Sequence, residues 1–286
     1  MSWHALTLMA LLAYGFQSFL NKVSAKSGCN TVQTTLAFMG TATIISWSVV
    51  LYQGFILESF ALLLVLAVAN SFTYSASTIA RIEAHKFAPA GVVFPIVRMS
   101  TVLVVLFSLL WFHEHLSIYQ AVGILLAIFA VLILSRYSNN DKGVKTDFSK
   151  GIALALLALV SGAAATIVSK FAAIYFPNPC AFMAISYALN VLIAFSLRNK
   201  FQDDTGANRR GHALVIGALM GVANFIGFYL LLAALAVGPL SVIAPINSLS
   251  TVLAIGLAIL IYKEALTWQR GVGIVGALVA VSLLST

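Results

Sequence analysis

A single arginine, Arg98, lies inside an apolar stretch that runs from residue 89 to residue 112. Its guanidinium group holds several N–H donors in a fixed fork, which matches the two oxygens of a carboxylate. Insertion scales put the cost of an arginine at the centre of a membrane helix at roughly 2.5–3.5 kcal/mol. None of the eight acidic residues falls in the middle of an apolar stretch, although Glu83 can reach Arg98 if its helix tilts. We expect Arg98 either to attract the carboxylate of a small organic solute or to bond carbonyl groups of its own helix.

Further polar side chains recur at helical spacing in other apolar stretches. Tyr14, Gln17, Ser18 and Asn21 follow the i, i+3, i+4, i+7 pattern of one helical face. Asn70, Tyr74, Ser77 and Arg81 also share one face, with the spacing i, i+4, i+7, i+11. Such faces turn toward a bundle interior or a water-filled cavity. The structural alternative is bonding between helices, worth about 0.6 kcal/mol on average. We therefore predict a polar cavity with these substrate-binding candidates: Tyr14, Gln17, Asn70, Tyr74, Arg98, Asn224, Tyr229, Asn247 and Ser248.

Two prolines interrupt apolar stretches at equivalent places in the chain. Pro95 and Pro245 lack a backbone N–H, which frees the carbonyls of Gly91 and Ser241 one turn earlier. Freed carbonyls at membrane depth need water, a neighbouring helix or substrate as a partner. We predict a helix break that takes part in gating, while a mere kink is the structural alternative.

The prolines belong to an internal repeat. Shifting residues 88–136 by 150 positions superposes Pro89 on Pro239, Pro95 on Pro245, Glu114 on Glu264 and Gly123 on Gly273. An offset of 148 extends the match toward the N-terminus of each half and places Lys22 on Lys170. Because one offset aligns both prolines, the glutamate and the glycine, the sequence indicates a duplication. The repeat counterpart of Arg98 is Ser248, so the shared scaffold does not require a charge there.

Composition places the chain in a membrane. Of its 286 residues, 61% are hydrophobic and 8% are charged, and the mean hydropathy is +1.02. Soluble domains carry roughly 25% charged residues. Many apolar runs reach the roughly 20 residues that a helix needs to cross about 30 Å of hydrocarbon. The formal charge of +8 lies in short loops, where it indicates membrane orientation rather than nucleic-acid binding.

The periodicity predicts ten spans, at about residues 3–22, 32–54, 60–81, 89–112, 117–135, 151–171, 180–198, 212–236, 239–262 and 267–285. Five spans per repeat is an odd number, so the second repeat must enter the membrane in the opposite sense. The predicted fold class is an all-α polytopic membrane protein with two inverted five-helix repeats, residues 1–136 and 151–286. Residues 137–150 form the predicted linker. Carriers of this architecture hold substrate near the bilayer midplane where the repeats meet.

One motif resembles a known family. Phe112-His113-Glu114-His115-Leu116-Ser117 with Gln120 and Gly123, echoed by Tyr262-Lys263-Glu264-Ala265-Leu266-Thr267 with Gly273, resembles the glutamate-turn-helix signature of EamA-type permeases of the drug/metabolite transporter superfamily. The resemblance covers nearly the whole chain. It implies a basket-like, inverted-repeat carrier that exports amino acids, related metabolites or drugs, with the fifth and tenth helices peripheral. It also implies cytoplasmic termini, whereas the basic residues follow odd-numbered spans and predict external termini.

The turn glutamates, Glu114 and Glu264, lie at helix junctions, where we predict a structural role. Ser117 with Gln120 fits a capping box at the start of the fifth span. The two histidines that flank Glu114 fall short of a metal-binding pattern, and the two cysteines suggest neither a disulfide nor a metal site. We predict no metal, no cofactor and no catalytic residue.

These features predict a secondary transporter that exports amino acids or related carboxylate-bearing solutes by alternating access. It would be a multi-pass protein of the bacterial inner membrane, with a small-molecule substrate and lipid as partners and no nucleic acid. Without a mid-membrane carboxylate the simplest proton antiport is disfavoured, while coupling through Glu83 or a histidine stays open.

The alternatives are a membrane enzyme or a flippase acting on lipid-linked substrates. The enzyme needs clustered metal-binding or acidic residues, which these loops lack. The sequence leaves open whether the chain is a monomer or a homodimer.

Overall fold

The computed structural model of the chain describes residues 2–54, 59–85, 87–88, 90–136, 148–176, 178–196, 210–262 and 268–284. All regular secondary structure in these residues is α-helical. The helices in chain order are α1 (Trp3–Lys26), α2 (Thr31–Gln53), α3 (Phe60–Ala84), α4 (Ala90–Arg98), α5 (Ser100–Trp111), α6 (Ile118–Arg136), α7 (Phe148–Tyr175), α8 (Pro179–Ser196), α9 (Arg210–Val237), α10 (Leu240–Ser248), α11 (Ser250–Tyr262) and α12 (Trp268–Leu284).

Length and hydropathy identify the membrane-spanning helices among the described residues. Six stretches are long and apolar enough to cross a bilayer: Val32–Gln53, Phe60–Ala84, Ser149–Tyr175, Pro179–Ser196, Gly211–Val237 and Leu240–Tyr262. Three shorter stretches are also apolar: Ile96–Trp111, Ile118–Ile133 and Gly271–Leu284. The prediction of an all-helical, multi-pass membrane protein is confirmed, while the count of ten spans stays a prediction.

The spans that contain Pro95 and Pro245 are each two helices rather than one. The break falls at Met99 between α4 and α5 and at Leu249 between α10 and α11, four residues after each proline. At both breaks the backbone N–H bonds to the carbonyl three residues earlier, Ile96 at 3.1 Å and Ile246 at 3.0 Å, instead of four. This is the tighter turn of a 3₁₀ helix. The break therefore lies after each proline and not at the preceding turn, where the missing proline N–H predicts it.

The helices cluster into two compact units, and each unit draws on both halves of the sequence. One unit contains Met1–Phe72 and Ser169–Val237, and the other contains Thr73–Val168 and Gly238–Thr286. The boundaries fall inside α3 and α7, so each of these helices contributes to both units. The units are thus not the same divisions as the sequence repeats.

In the first unit, α9 packs along α1 and α2, and α2 also packs against α8. Two glycines of α9 spaced four apart make the closest approach to α2. A Cβ built on Gly217 would lie 2.6 Å from the Thr34 carbonyl oxygen, and one built on Gly221 would lie 2.6 Å from that of Phe38. Small residues at this spacing let membrane helices approach until their backbones touch. The Gly217-x-x-x-Gly221 pattern is thus a packing signal for the α2–α9 pair.

In the second unit, α6 packs along α12, and α10 packs against α5 and α6. Gly123 of α6 lies where a Cβ would come within 2.9 Å of Leu284 Cγ. A side chain at this position would clash with Leu284, which explains the glycine. The second repeat also has a glycine at the equivalent position, Gly273. The fifth and tenth predicted spans therefore contact each other in this unit.

Candidate functional site

A buried amide network joins three helices of the first unit. Asn224 of α9 is buried, and its Nδ2 donates a hydrogen bond of 2.9 Å to Oε1 of Gln17 in α1. The Tyr187 hydroxyl of α8 donates to Asn224 Oδ1. Because both the donor and the acceptor end of the amide are engaged, the Asn224 side chain is held in one orientation. Tyr187 was missed from the sequence, although a buried tyrosine hydroxyl in an apolar helix needs a partner.

The two tyrosine candidates of the first unit differ in their surroundings. The Tyr14 ring lies against α9, because a Cβ built on Gly227 would be 3.3 Å from Tyr14 Cγ. Tyr229 is 38% exposed and stacks on Phe225 with the ring centroids 6.4 Å apart. Tyr14 thus lies in the α1–α9 contact that also holds the amide network, whereas Tyr229 is not among the residues bonded in that network.

A second pair of polar contacts lies between α3, α7 and α9 in the same unit. Nδ2 of the buried Asn70 donates to Oγ of Ser169 at 3.0 Å. The next residue, Lys170, is 6% exposed, and its Nζ donates to the Leu235 carbonyl oxygen at 2.7 Å. Leu235 lies in the last turn of α9, where carbonyl groups lack helical partners and carry partial negative charge. Lys170 lies near the end of the sixth predicted span, and the structure places it in the interior of the unit.

The polar face predicted on α3 is divided between the two units. Asn70 belongs to the first unit, whereas Tyr74, Ser77 and Arg81 belong to the second. Ser77 Oγ donates to the Ala158 carbonyl oxygen of α7 at 2.8 Å, and Tyr74 is 40% exposed. The face is therefore shared between packing contacts and exposed groups.

Arg98 terminates α4 in the second unit and is partly buried. Its Nη2 donates to Oγ1 of Thr251 in α11 at 2.7 Å, and Thr251 is a neutral partner. Within the part of the chain that the structure describes, no ion pair joins Arg98 to a carboxylate. Arg81 of α3 is a second positive charge in the same unit. The positive charge at Arg98 is consequently not neutralised by these contacts.

The break in the second proline helix pair has its own hydrogen bonds. Ser248 Oγ donates to the Pro245 carbonyl oxygen at 2.7 Å, the acceptor that a regular helix would offer to Leu249. Asn247 Oδ1 is buried and has no hydrogen-bond partner among the described residues. Gly91 and Pro95 lie inside α4, at the places that Ser241 and Pro245 occupy in α10. Ser248 thus serves its own helix, whereas Asn247 presents an unused acceptor.

The glutamate between α5 and α6 caps a helix of the other sequence repeat. The Glu114 carboxylate accepts hydrogen bonds from the backbone N–H groups of Leu240 at 2.8 Å and Ser241 at 2.9 Å. It also accepts from the hydroxyls of Ser241 at 2.5 Å and Ser108 at 2.6 Å. Leu240 and Ser241 open α10, and the residue before them, Pro239, makes no side-chain cap. Glu114 is therefore the side-chain acceptor for the first turn of α10.

These contacts set the charge state of the carboxyl group. Burial raises the pKa of Glu114, but the hydrogen bonds from Ser108, Ser241 and Leu240 outweigh it and hold that pKa below the usual range. Each donor stabilises the ionised form, as does the positive end of α10. Glu264, the predicted counterpart, lies outside the described residues.

The same turn contains the predicted capping box. The Ser117 backbone N–H donates to Gln120 Oε1, and the Gln120 backbone N–H donates to Ser117 Oγ, each at 3.1 Å. These reciprocal bonds start α6 immediately after the glutamate. The turn therefore caps two helices at once, α6 through Ser117 and α10 through Glu114.

The sequence model of the EamA-like transporter family matches residues 1–136 and residues 149–286. A crystal structure of another protein superposes with a TM-score of 0.77 at 17% sequence identity, covering 98% of this chain and 96% of the other. That likeness shows a shared fold. No curated protein matches the sequence significantly.

Proposed function

Because the chain belongs to the EamA-like transporter family, we propose that it exports small organic metabolites that carry a carboxylate, amino acids foremost. The membership and the apolar helices make the chain an integral, multi-pass membrane transporter. The substrate class, the direction and the alternating-access mechanism are our proposal. The single observation that carries the substrate class is the contact between Arg98 and Thr251.

The electrostatics of Arg98 favour an anionic group on the substrate. Its bond to Thr251 uses a neutral acceptor and leaves the charge in place. Attraction between opposite charges grows as the effective dielectric constant falls, so an unneutralised guanidinium in a membrane protein favours an incoming anion. A carboxylate accepts two parallel bonds from the guanidinium fork. Thr251, on α11, would then orient the fork toward the solute.

In the second unit, the residues proposed for the translocation pathway are those that leave a polar group available. Asn247 offers the unpartnered Oδ1, and Tyr74 is partly exposed. In the first unit, Tyr229 is the partly exposed candidate, whereas Gln17, Asn70 and Asn224 are engaged in packing bonds. Pro95 and Pro245, with the breaks that follow them, would let α4 and α10 tilt separately from α5 and α11 as access alternates.

We also propose that residues 1–136 and 151–286 form two inverted repeats joined by residues 137–150. The host membrane is the bacterial inner membrane, with both termini outside. Export follows the concentration gradient of the solute. Coupling to protons is the alternative, and efflux measured with and without a pH gradient distinguishes the two.

The test is transport by the purified full chain in proteoliposomes, with and without a pH gradient. The substrates are amino acids, sugars, nucleosides and cationic drugs, each loaded separately. We expect amino acids to leave the vesicles, and Arg98→Gln to reduce that efflux about tenfold or more, because a charged hydrogen-bond donor is worth about 1.5–3 kcal/mol. Lys26→Gln, which removes an exposed charge from the last turn of α1, is the matched control and should leave efflux unchanged. Movement of sugars, nucleosides or cationic drugs alone, unaffected by Arg98→Gln, would contradict the proposal.

A further inference from the structure

Arg98 has a second arginine close to it. Arg81 lies in the last turn of α3, Arg98 lies in the last turn of α4, and both belong to the second unit. Tyr74 lies two turns before Arg81 on the same face of α3. Arg81 is exposed and Arg98 is partly buried, so the pair offers one charge at the surface of the unit and one beneath it.

The surrounding helix packing explains why the two arginines are held near each other. Ser77, one turn before Arg81, bonds to the Ala158 carbonyl oxygen of α7. One turn further along α7, a Cβ built on Gly162 would lie 3.0 Å from Ser77 Oγ and 3.9 Å from Ser100 Cβ. Ser100 begins α5, two residues after Arg98. The contacts through α7 therefore bring the end of α3 to the end of α4.

Two guanidinium groups held near each other repel, and the repulsion grows in a low dielectric. The carbonyl ends of α3 and α4 offset part of the charge, because each helix end carries roughly half a negative charge. Among the described residues, no carboxylate forms an ion pair with either arginine. Two described carboxylates of this unit lie near helix ends, Glu83 in the last turn of α3 and Glu114. Glu114 already accepts four hydrogen bonds from Ser108, Leu240 and Ser241. Glu83 carries one negative charge against the two positive charges of the arginines, so the site keeps a net positive charge.

We propose that Arg81 and Arg98 together bind a solute with two anionic groups, such as an acidic amino acid or another dicarboxylate. The inference rests on the proposed function, because Arg98 is the carboxylate-binding group of both. Arg98 with Thr251 takes one carboxylate, and Arg81 with the Tyr74 hydroxyl takes the other. The neutral hydroxyls add hydrogen bonds and no competing charge.

Aspartate and asparagine are the matched probes, because they differ only in whether the second group is a carboxylate or an amide. Efflux of each labelled amino acid is measured from proteoliposomes of neutral lipid at constant pH and ionic strength. We expect wild-type protein to prefer aspartate by about tenfold or more, since the second charged contact is made only with the acid. Arg81→Gln should abolish this preference, because aspartate efflux falls by about tenfold or more relative to asparagine efflux. Arg98→Gln should reduce the efflux of both.

Four outcomes overturn the inference and are distinguishable. Equal efflux of aspartate and asparagine, both sensitive to Arg98→Gln and neither to Arg81→Gln, overturns the second subsite and leaves the proposed function standing. Efflux of other amino acids but of neither aspartate nor asparagine overturns the inference alone, whereas efflux of no amino acid by a folded wild-type protein contradicts both. Loss of the Arg81 effect when phosphatidylglycerol is added would assign the positive pair to an anionic lipid headgroup instead of a solute. Lys26→Gln again controls for the loss of one positive charge.

Discussion

The helix pair α4–α5 and the pair α10–α11 have one backbone plan and two different sets of side chains. Both pairs contain a proline at the same repeat position, and both break four residues later with the same i→i+3 hydrogen bond. At the residue before the break the first pair has Arg98 and the second has Ser248. Arg98 bonds to a different helix through Thr251, whereas Ser248 bonds back to Pro245 in its own helix.

This comparison teaches that the duplication preserves the break and not the chemistry placed at it. The serine hydroxyl takes up the proline carbonyl that the tight turn leaves without its backbone donor. The arginine is long enough to leave its own helix and reach a neighbour. Of the two helix pairs, only α4–α5 therefore has a charged residue before its break.

The starts of the two helix pairs also differ. In α10, Ser241 contributes both a backbone N–H and a hydroxyl to Glu114. Its counterpart in α4, Gly91, has no hydroxyl to contribute. The start of α10 therefore has a hydroxyl donor for its side-chain acceptor that the start of α4 lacks.

The largest expected effect comes from removing the cap of α10. Glu114→Ala leaves the N–H groups of Leu240 and Ser241 and two hydroxyls without their acceptor. We expect a loss of about 2–3 kcal/mol in the free energy of unfolding. Unfolding of the purified protein in mixed micelles with increasing denaturing detergent measures it. Glu114→Gln keeps an acceptor oxygen and should lose less, and equal losses for the two variants would count against a charge-assisted cap.

Replacing the arginine by its repeat counterpart tests the asymmetry at the break. Arg98→Ser should reduce amino-acid efflux about tenfold or more and leave the helix break intact, because serine already occupies the equivalent place in α10. Proteoliposome efflux gives the first result and circular dichroism of the purified protein gives the second. Efflux at the wild-type rate would show that the charge does not distinguish the two helix pairs in function.

The removal of Thr251 hydrogen bonding should have a smaller effect. Thr251→Val deletes the partner of Arg98 and keeps the arginine charge, so we expect the apparent KM for an amino acid to rise about threefold to tenfold. The rate at saturating solute should change little. A Thr251→Ser control keeps the hydroxyl, and a KM equal to that of Thr251→Val would show that the hydroxyl does not orient the arginine.

The pH dependence of stability follows from the cap. Because the folded state lowers the Glu114 pKa below its ordinary value of 4.5, the ionised cap contributes its full stability above that value. The contribution is lost as the pH falls through the lowered pKa. The difference in unfolding free energy between wild type and Glu114→Gln should therefore shrink on acidification below about pH 4.5. A difference that is constant with pH would contradict an ionised cap.

The smallest expected effect belongs to the serine at the second break. Ser248→Ala removes one hydrogen bond within its own helix, and we expect a loss of about 0.5–1 kcal/mol of unfolding free energy with little change in efflux. Detergent unfolding and vesicle efflux measure the two. A tenfold loss of efflux would mean that Ser248 acts on the solute, as Arg98 is proposed to do, and would erase the functional difference between the helix pairs.

The sequence predicted the helical membrane fold and the family because long apolar runs and a duplicated motif are local signals. It predicted a break at each proline but could not place it four residues later, since the tight i→i+3 turn at Met99 and Leu249 carries no residue signal in the sequence. It assigned Glu114 to a turn but not to α10, because the partner backbone lies 126 residues away in the chain. Tyr187 and Lys170 were missed for the same reason: their acceptors lie on another helix.

The most direct test of the account is efflux of a labelled amino acid and of its α-carboxamide derivative from proteoliposomes containing the purified chain. The account predicts that wild-type protein moves the free acid and not the carboxamide, and that Arg98→Gln abolishes the difference while Lys26→Gln preserves it. Equal movement of acid and carboxamide by the wild type, unchanged in Arg98→Gln, would contradict recognition of a carboxylate by Arg98.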